Sequence, residues 1–129
     1  MNAMRRFDRS MYSDAEGRKR DWYCGEVLSG VIDVGVVFDD DRVLAFHHPD
    51  PSAPIHVVVI PKSHVASVLS DEARDAALLS SMVRAIQEAA RSLGLDKTGF
   101  FVRTNAAAPG VTPHMHWHLM GPGVDPPKP

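Results

Sequence analysis

Three histidines at alternate positions, His114, His116 and His118, constrain this chain more than any other feature. Met115, Trp117 and Leu119 interleave with them. Successive side chains on a strand point to opposite faces. The pattern therefore predicts a strand over His114–Met120, with three imidazoles on one face and an apolar back turned to a core. On a helix the same positions would spread over roughly 200° of the circumference. A row of imidazoles on one face of a covered sheet is a place where chemistry can be done.

The rest of the chain predicts what surrounds that strand. At 129 residues, one domain is expected. Asp21–Leu28 reads as a short helix that buries Trp22, Tyr23 and Val27. Val34–Phe38 and Arg42–His47 flank three aspartates and form a hairpin. Pro49, Pro51 and Pro54 stiffen the next loop. Ile55–Ile60 is a strand whose continuous apolar run suggests cover on both faces. Ser70 is expected to cap a long helix with Leu78, Leu79, Met82, Val83, Ile86, Ala90 and Leu93 at helical spacing, stopped by Gly94. Gly99–Thr104 supplies a fourth strand. The fold class is α+β: a mostly antiparallel five-stranded sheet, a short N-terminal helix and one long helix, with the helices on one side. Residues 1–20 are expected to be a weakly ordered extension, 21–121 the domain, and 122–129 a proline-rich tail.

Composition narrows the partners. The net charge of -2 gives no signal for nucleic-acid binding. The longest apolar stretch, Val57–Ile60, is far short of the ~20 residues a spanning helix needs, so no membrane partner is expected. Cys24 is the single cysteine, which excludes an internal disulfide and suits a reducing, cytoplasmic setting.

All seven histidines fall in two windows: His47, His48, His56 and His64, then the triplet. Three readings of the triplet stand side by side. It could be an exposed strand face. It could bind a transition metal through imidazole nitrogens, although no carboxylate flanks it and no cysteine pair assists. Or a neutral imidazole could act as a nucleophile, its second nitrogen held by an acceptor such as a neighbouring imidazole. Phosphorus suits such a nucleophile, because a phospho-imidazole can be reopened by water. Backbone N–H groups of the Asn105–Pro113 loop, with Gly110 and its small neighbours, could then meet phosphate oxygens.

His114-Met115-His116-Trp117-His118-Leu119-Met120 resembles the signature of the histidine-triad (HIT) family, closest to its Hint-like branch. Phe46–His64, with its Pro61-Lys62-Ser63-His64 turn, resembles the same family's central strand. The resemblance spans about Asp21 to Gly121. It implies a nucleotide hydrolase or transferase acting at the α-phosphate of a nucleoside phosphoramidate or related conjugate through a nucleotidyl-histidine intermediate. An Fhit-like dinucleoside polyphosphate hydrolase and a nucleotide-binding module with vestigial activity are the alternatives. It also implies a homodimer whose sheets join, and no cofactor. Carried over, His116 is the nucleophile, His114 and His118 flank it, His56 completes the imidazole network, and Asn105 lies near the phosphate. His64 is expected to be structural. Tyr23, Cys24 and Val27 sit where relatives place base-contacting residues.

Three departures follow. His48 stands where the family carries a ribose-binding aspartate, with Asp50 as a possible substitute. The Gly-Gln pair before the triad is missing, leaving phosphate contacts to Gly110, Val111 and Thr112. The Cys-x-x-Cys pair that holds zinc in some bacterial relatives reads Asp21-Trp22-Tyr23-Cys24, so that metal site is expected to be absent.

Overall fold

The computed structural model describes residues 5–124. Five strands form one sheet in the order β1-β2-β3-β5-β4: β1 (Val36–Asp39), β2 (Val43–His47), β3 (Ile55–Pro61), β4 (Phe101–Thr104) and β5 (Trp117–Gly121). Every neighbouring pair is antiparallel. The fold class is α+β, as the sequence predicts.

Alternation splits the sheet into two packed faces. Val43, Ala45, Val57, Val59 and Leu119 bury one face against helix α1 (Ala76–Ser92), through Leu78, Met82, Ala85 and Ala89. Leu44, Phe46, Val58 and Ile60 bury the other against Met11, Trp22, Tyr23, Val27 and Ile32. The helices are therefore not confined to one side. A π-helical turn, Tyr23–Leu28, covers the second face. His56 and His118 share that face, because His118 pairs with Val58, and His56 lies two residues before Val58.

Two boundaries move from those expected and one holds. The long helix begins at Ala76, not after Ser70. A 3-10 turn, Asp71–Arg74, comes first, and Asp75 caps α1 by accepting from the Leu78 N–H at 2.8 Å. That cap contributes about 1 kcal/mol. Gly94 does end α1, in the left-handed conformation (φ 75°), before the short α2 (Leu95–Thr98). The last strand begins at Trp117, not His114. His114, in a bend, and His116 lie before it, where the Met115 N–H donates to the Val65 carbonyl at 2.6 Å.

The N-terminal segment also departs from expectation. Residues 5–20 pack onto the domain instead of extending loosely. Met11 is buried, and Phe7, Tyr12 and Trp22 form an aromatic cluster with ring centroids 5.3 to 5.4 Å apart. Arg20 holds the segment down, donating to both Glu26 carboxylate oxygens and to the Met11 carbonyl. Apolar burial and a partly buried ion pair overcome the entropy that a polar composition suggested. The expected tail lies outside the described residues beyond Val124.

Candidate active site

β3, β5 and the loop ahead of β5 bring the imidazoles together, and their hydrogen bonds fix the tautomer of each ring. His116 is 5% exposed, and its Nδ1 lies 2.6 Å from the His114 carbonyl oxygen. A carbonyl only accepts, so Nδ1 carries the proton and Nε2 keeps its lone pair. The acceptor that aims His116 is thus a peptide oxygen, not the neighbouring imidazole suggested by the sequence. Burial pulls the His116 pKa down against that hydrogen bond, which keeps the ring neutral and nucleophilic.

His56 and His118 form a directed pair. The Ser52 N–H donates to His56 Nδ1 at 3.0 Å, so His56 carries its proton on Nε2. That nitrogen donates to His118 Nδ1 at 2.8 Å. His118 is left with its proton on Nε2. Burial lowers the His56 pKa to about 4, with His48 and Arg103 adding to the effect. Burial, then the His116, His56 and His48 rings, lowers His118 to about 2.

His48 stacks on His56 with centroids 4.5 Å apart. Its Nδ1 accepts from the Asp50 N–H at 2.9 Å, so its Nε2 is the protonated nitrogen. Burial lowers it to about 4, opposed by Asp50. His48 therefore presents a donor where a carboxylate would present two acceptors.

A cleft of about 180 Å³ gathers His116, His118, His48, Tyr23, Asn105, Gly110, Val111 and Thr112, together with Tyr12, Lys19 and Trp22. Of the residues singled out from sequence for this site, five lie elsewhere, Cys24 in the neighbouring cluster described below. His56 stands behind His118. His114 is fully buried, donating to the Pro61 carbonyl through Nε2 at 2.9 Å. Val27 packs in the hydrophobic core rather than in the cleft. Asp50 lies outside the cleft lining and pairs with the exposed Arg9 at 3.0 Å. Tyr12 and Lys19 went unanticipated because their segment read as loose. Phe7, Met11 and Tyr12, apolar residues set in a polar stretch, were the available signal. A larger groove, about 820 Å³ between Lys62, Asp41, Glu72 and Arg74, carries both signs of charge and none of the histidines.

A second cluster adjoins the first. Asp21, Cys24, His64 and His114 each place one donor atom within 4.8 Å of the others. Asp21 Oδ2 lies 2.9 Å from His114 Nδ1 and 2.6 Å from His64 Nδ1. Burial would raise the Asp21 pKa, but the His114 and Cys24 hydrogen bonds and the His114 charge hold it well below the usual carboxylate range. Burial, reinforced by Asp21, raises the Cys24 thiol to about 11. One carboxylate oxygen facing two ring nitrogens can accept from an N–H on each ring or share a cation with them. An oxygen, a sulfur and two imidazole nitrogens suit zinc. The Cys-x-x-Cys pair is absent, and four other side chains that could hold an ion converge beside the first helix. A divalent ion would tie the first helical turn to the loops after β3 and before β5, and would thereby set the position of His114.

Comparison with known proteins completes the description. The family model described as HIT domain matches residues 29–123. An uncharacterized HIT-like protein of Synechococcus elongatus is 35% identical over 98 residues, covering 75% of this chain and 86% of its own. The crystal structure of a HIT family hydrolase from Legionella pneumophila superposes with a TM-score of 0.69 at 33% identity, covering 77% of this chain and 89% of that one. A histidine triad protein from Clostridium difficile gives 0.68 at 34% identity, covering 76% and 86%.

Proposed function

Since the chain belongs to the HIT family, whose fold is that of nucleotide hydrolases and transferases, we propose that it cleaves nucleotide conjugates at the α-phosphate, nucleoside phosphoramidates foremost. The observation that carries this reading is the His116 geometry. Its Nδ1 proton is held by the His114 carbonyl at 2.6 Å, and its Nε2 lone pair remains for attack.

Two steps follow from the tautomers. In the first, His116 Nε2 bonds to the α-phosphorus as the bond to the leaving group breaks. The departing nitrogen takes up a proton from solvent, while the Nε2–H of His118, a neutral imidazole, donates a hydrogen bond without giving up its proton. In the second, a water oxygen bonds to phosphorus, the phosphorus–nitrogen bond to His116 breaks with its electron pair returning to Nε2, and the water's proton leaves to solvent. Asn105, Thr112 and the Gly110 N–H serve the phosphate oxygens; the Val111 N–H, also expected to do so, is instead donated to the Ala108 carbonyl at 3.1 Å.

The homodimer is part of the same proposal. β4 lies at the sheet edge with Val102 exposed, and an unpaired edge beside apolar surface favours pairing with a second copy. Sedimentation at two concentrations tests it.

Replacing His116 with Ala is the test of function. Turnover of adenosine phosphoramidate is expected to fall by at least ~10³-fold, with the circular-dichroism spectrum unchanged. Hydrolysis at the wild-type rate would overturn the assignment.

A further inference from the structure

The cleft has two flanks that differ in chemistry. Asn105, which follows β4, and the loop ahead of β5 close the flank on the β4 side. The other flank lies toward β2. There the His48 N–H donates to the His56 carbonyl at 2.7 Å, which carries the β2–β3 pairing one residue beyond β2. The strand order then sets His118, His56 and His48 in succession, moving away from the loop. Beyond His48 come Trp22, with ring centroids 6.0 Å apart, and Tyr12, 5.4 Å from Trp22. The Lys19 ammonium lies 4.6 Å from the Tyr12 centroid. Lys19 is therefore joined to His48 through two rings, on the flank opposite the loop.

A phosphate seated at His116 and held by Asn105 and Thr112 leaves this second flank to the nucleoside. Its aromatic rings suit a base. What meets the sugar is less ordinary. The hydroxyls of a ribose diol are bound best by an acceptor such as a carboxylate. Among the described residues, no Asp or Glu lines the cleft. Asp50, two residues beyond His48, lies outside the lining and pairs with Arg9. His48 itself turns a donor inward, since its Nδ1 accepts from the Asp50 N–H and its proton sits on Nε2.

Lys19 adds a cation to that donor. It is the one lysine or arginine on the cleft wall, and it takes part in no ion pair among the described residues. It is half-buried, and its backbone is fixed by a bridge to Ser13 and by its neighbour Arg20, which grips Glu26. The Tyr12 contact uses the ring face and leaves the N–H donors for another partner. In dinucleotide sites a carboxylate holds a free ribose hydroxyl, and a nearby cation accommodates a phosphorylated one. This cleft lacks the carboxylate and has the cation. The segment that supplies it precedes the family-matched region, which begins at residue 29.

We infer that Lys19 and His48 form a site for a phosphate borne on the ribose, at its 2′ or 3′ oxygen, so that the substrate class is nucleotides phosphorylated on the sugar as well as at the 5′ position. The inference rests on the proposed seating of the α-phosphate at His116, not on its cleavage.

Calorimetry on the full chain, in phosphate-free buffer, compares AMP, ADP, adenosine 2′,5′-bisphosphate and adenosine 3′,5′-bisphosphate. One bisphosphate is expected to bind about tenfold tighter than AMP, the scale of one charge-assisted hydrogen bond. Which of the two does so assigns the phosphate to the 2′ or the 3′ oxygen. Lys19→Met is expected to lose that advantage and Lys19→Arg to keep it. His48→Asp is expected to lose it and to bind AMP at least as tightly as the wild type, with the circular-dichroism spectrum unchanged. Equal affinities for AMP and both bisphosphates, no binding of any, or an advantage that survives Lys19→Met overturns the inference. So does an advantage for ADP alone that Lys19→Met removes, because it places the lysine beside the leaving group instead of the sugar. The cleavage reading is judged separately. A bisphosphate advantage lost in Lys19→Met, without hydrolysis of adenosine phosphoramidate, upholds the inference and overturns cleavage. Hydrolysis without the advantage does the reverse.

Discussion

His56 and His118 are joined by a single hydrogen bond of 2.8 Å whose direction is set from outside the pair, by the Ser52 N–H on the far nitrogen of His56. The relation makes His56 a positioning residue. It holds the tautomer of His118 without lining the cleft. His56→Phe keeps a ring of similar size and removes the donor. kcat/KM is expected to fall about 10- to 100-fold, the worth of a buried hydrogen bond of 1–3 kcal/mol, with the fall in kcat rather than KM. Steady-state kinetics on the folded variant checks this, and a change confined to KM would contradict it.

Stability should depend on pH with a definite sign. The folded-state pKa values of His48 and His56 lie at about 4, His118 lies lower still, and His116 is lowered. Between pH 6.5 and 4 the unfolded chain therefore binds more protons than the folded one, so stability is complete above 6.5 and declines as pH falls. Each ring contributes up to about 1.4 kcal/mol per pH unit, and coupled rings do not sum in full. Urea unfolding is expected to show a loss of at least ~2 kcal/mol from pH 7 to 5. The Asp21 carboxylate acts only below this window. A flat profile would mean the imidazoles are better solvated than their packing indicates.

The Asp21–Cys24–His64–His114 group should bind zinc. One equivalent added to chelator-treated protein at a hundredfold excess over Kd is expected to stabilise it by about 2.7 kcal/mol, a Tm rise on the order of 10 °C. Cobalt should give a thiolate charge-transfer band that Cys24→Ser removes. Neither a Tm rise nor a band would leave the four side chains as a hydrogen-bonded node alone.

Arg20→Ala should loosen the N-terminal strap. It strands Glu26, which is 7% exposed, and also removes the donor to the Met11 carbonyl. Because the arginine side chain is a third exposed, the cost should be about 2–3 kcal/mol, below that of breaking a fully buried pair. Denaturant unfolding measures it, and protease sensitivity between residues 5 and 20 should rise in parallel.

Much of this was legible in the sequence because periodicity is a local property. The alternation of His114, Met115, His116, Trp117 and His118 predicts that Met115 and Trp117 pack toward the α1-side core, although all three histidines are buried as well. Leu78, Met82 and Ala90 mark α1 by spacing alone. The Asn105-to-Thr112 loop, His48 and Tyr23 share the cleft with His116 because each stands beside an element whose position the sheet dictates. Contacts between distant, unpatterned residues were not legible. Asp21 meets His64 and His114 across 43 and 93 residues. Lys19 reaches the cleft from a stretch with no period, and Arg9 meets Asp50 outside it. Such pairings are decided by packing, which spacing does not encode.

The acceptor that orients His116 belongs to the main chain. Every residue type at position 114 would bring the same carbonyl, so no single substitution there deletes it. The imidazole of His114 is consequently free to answer to Asp21 and Pro61, and changes in that support reach the His116 ring only by shifting the backbone. Loss of reactivity by drift at position 114 should therefore be gradual, while loss at position 116 is immediate.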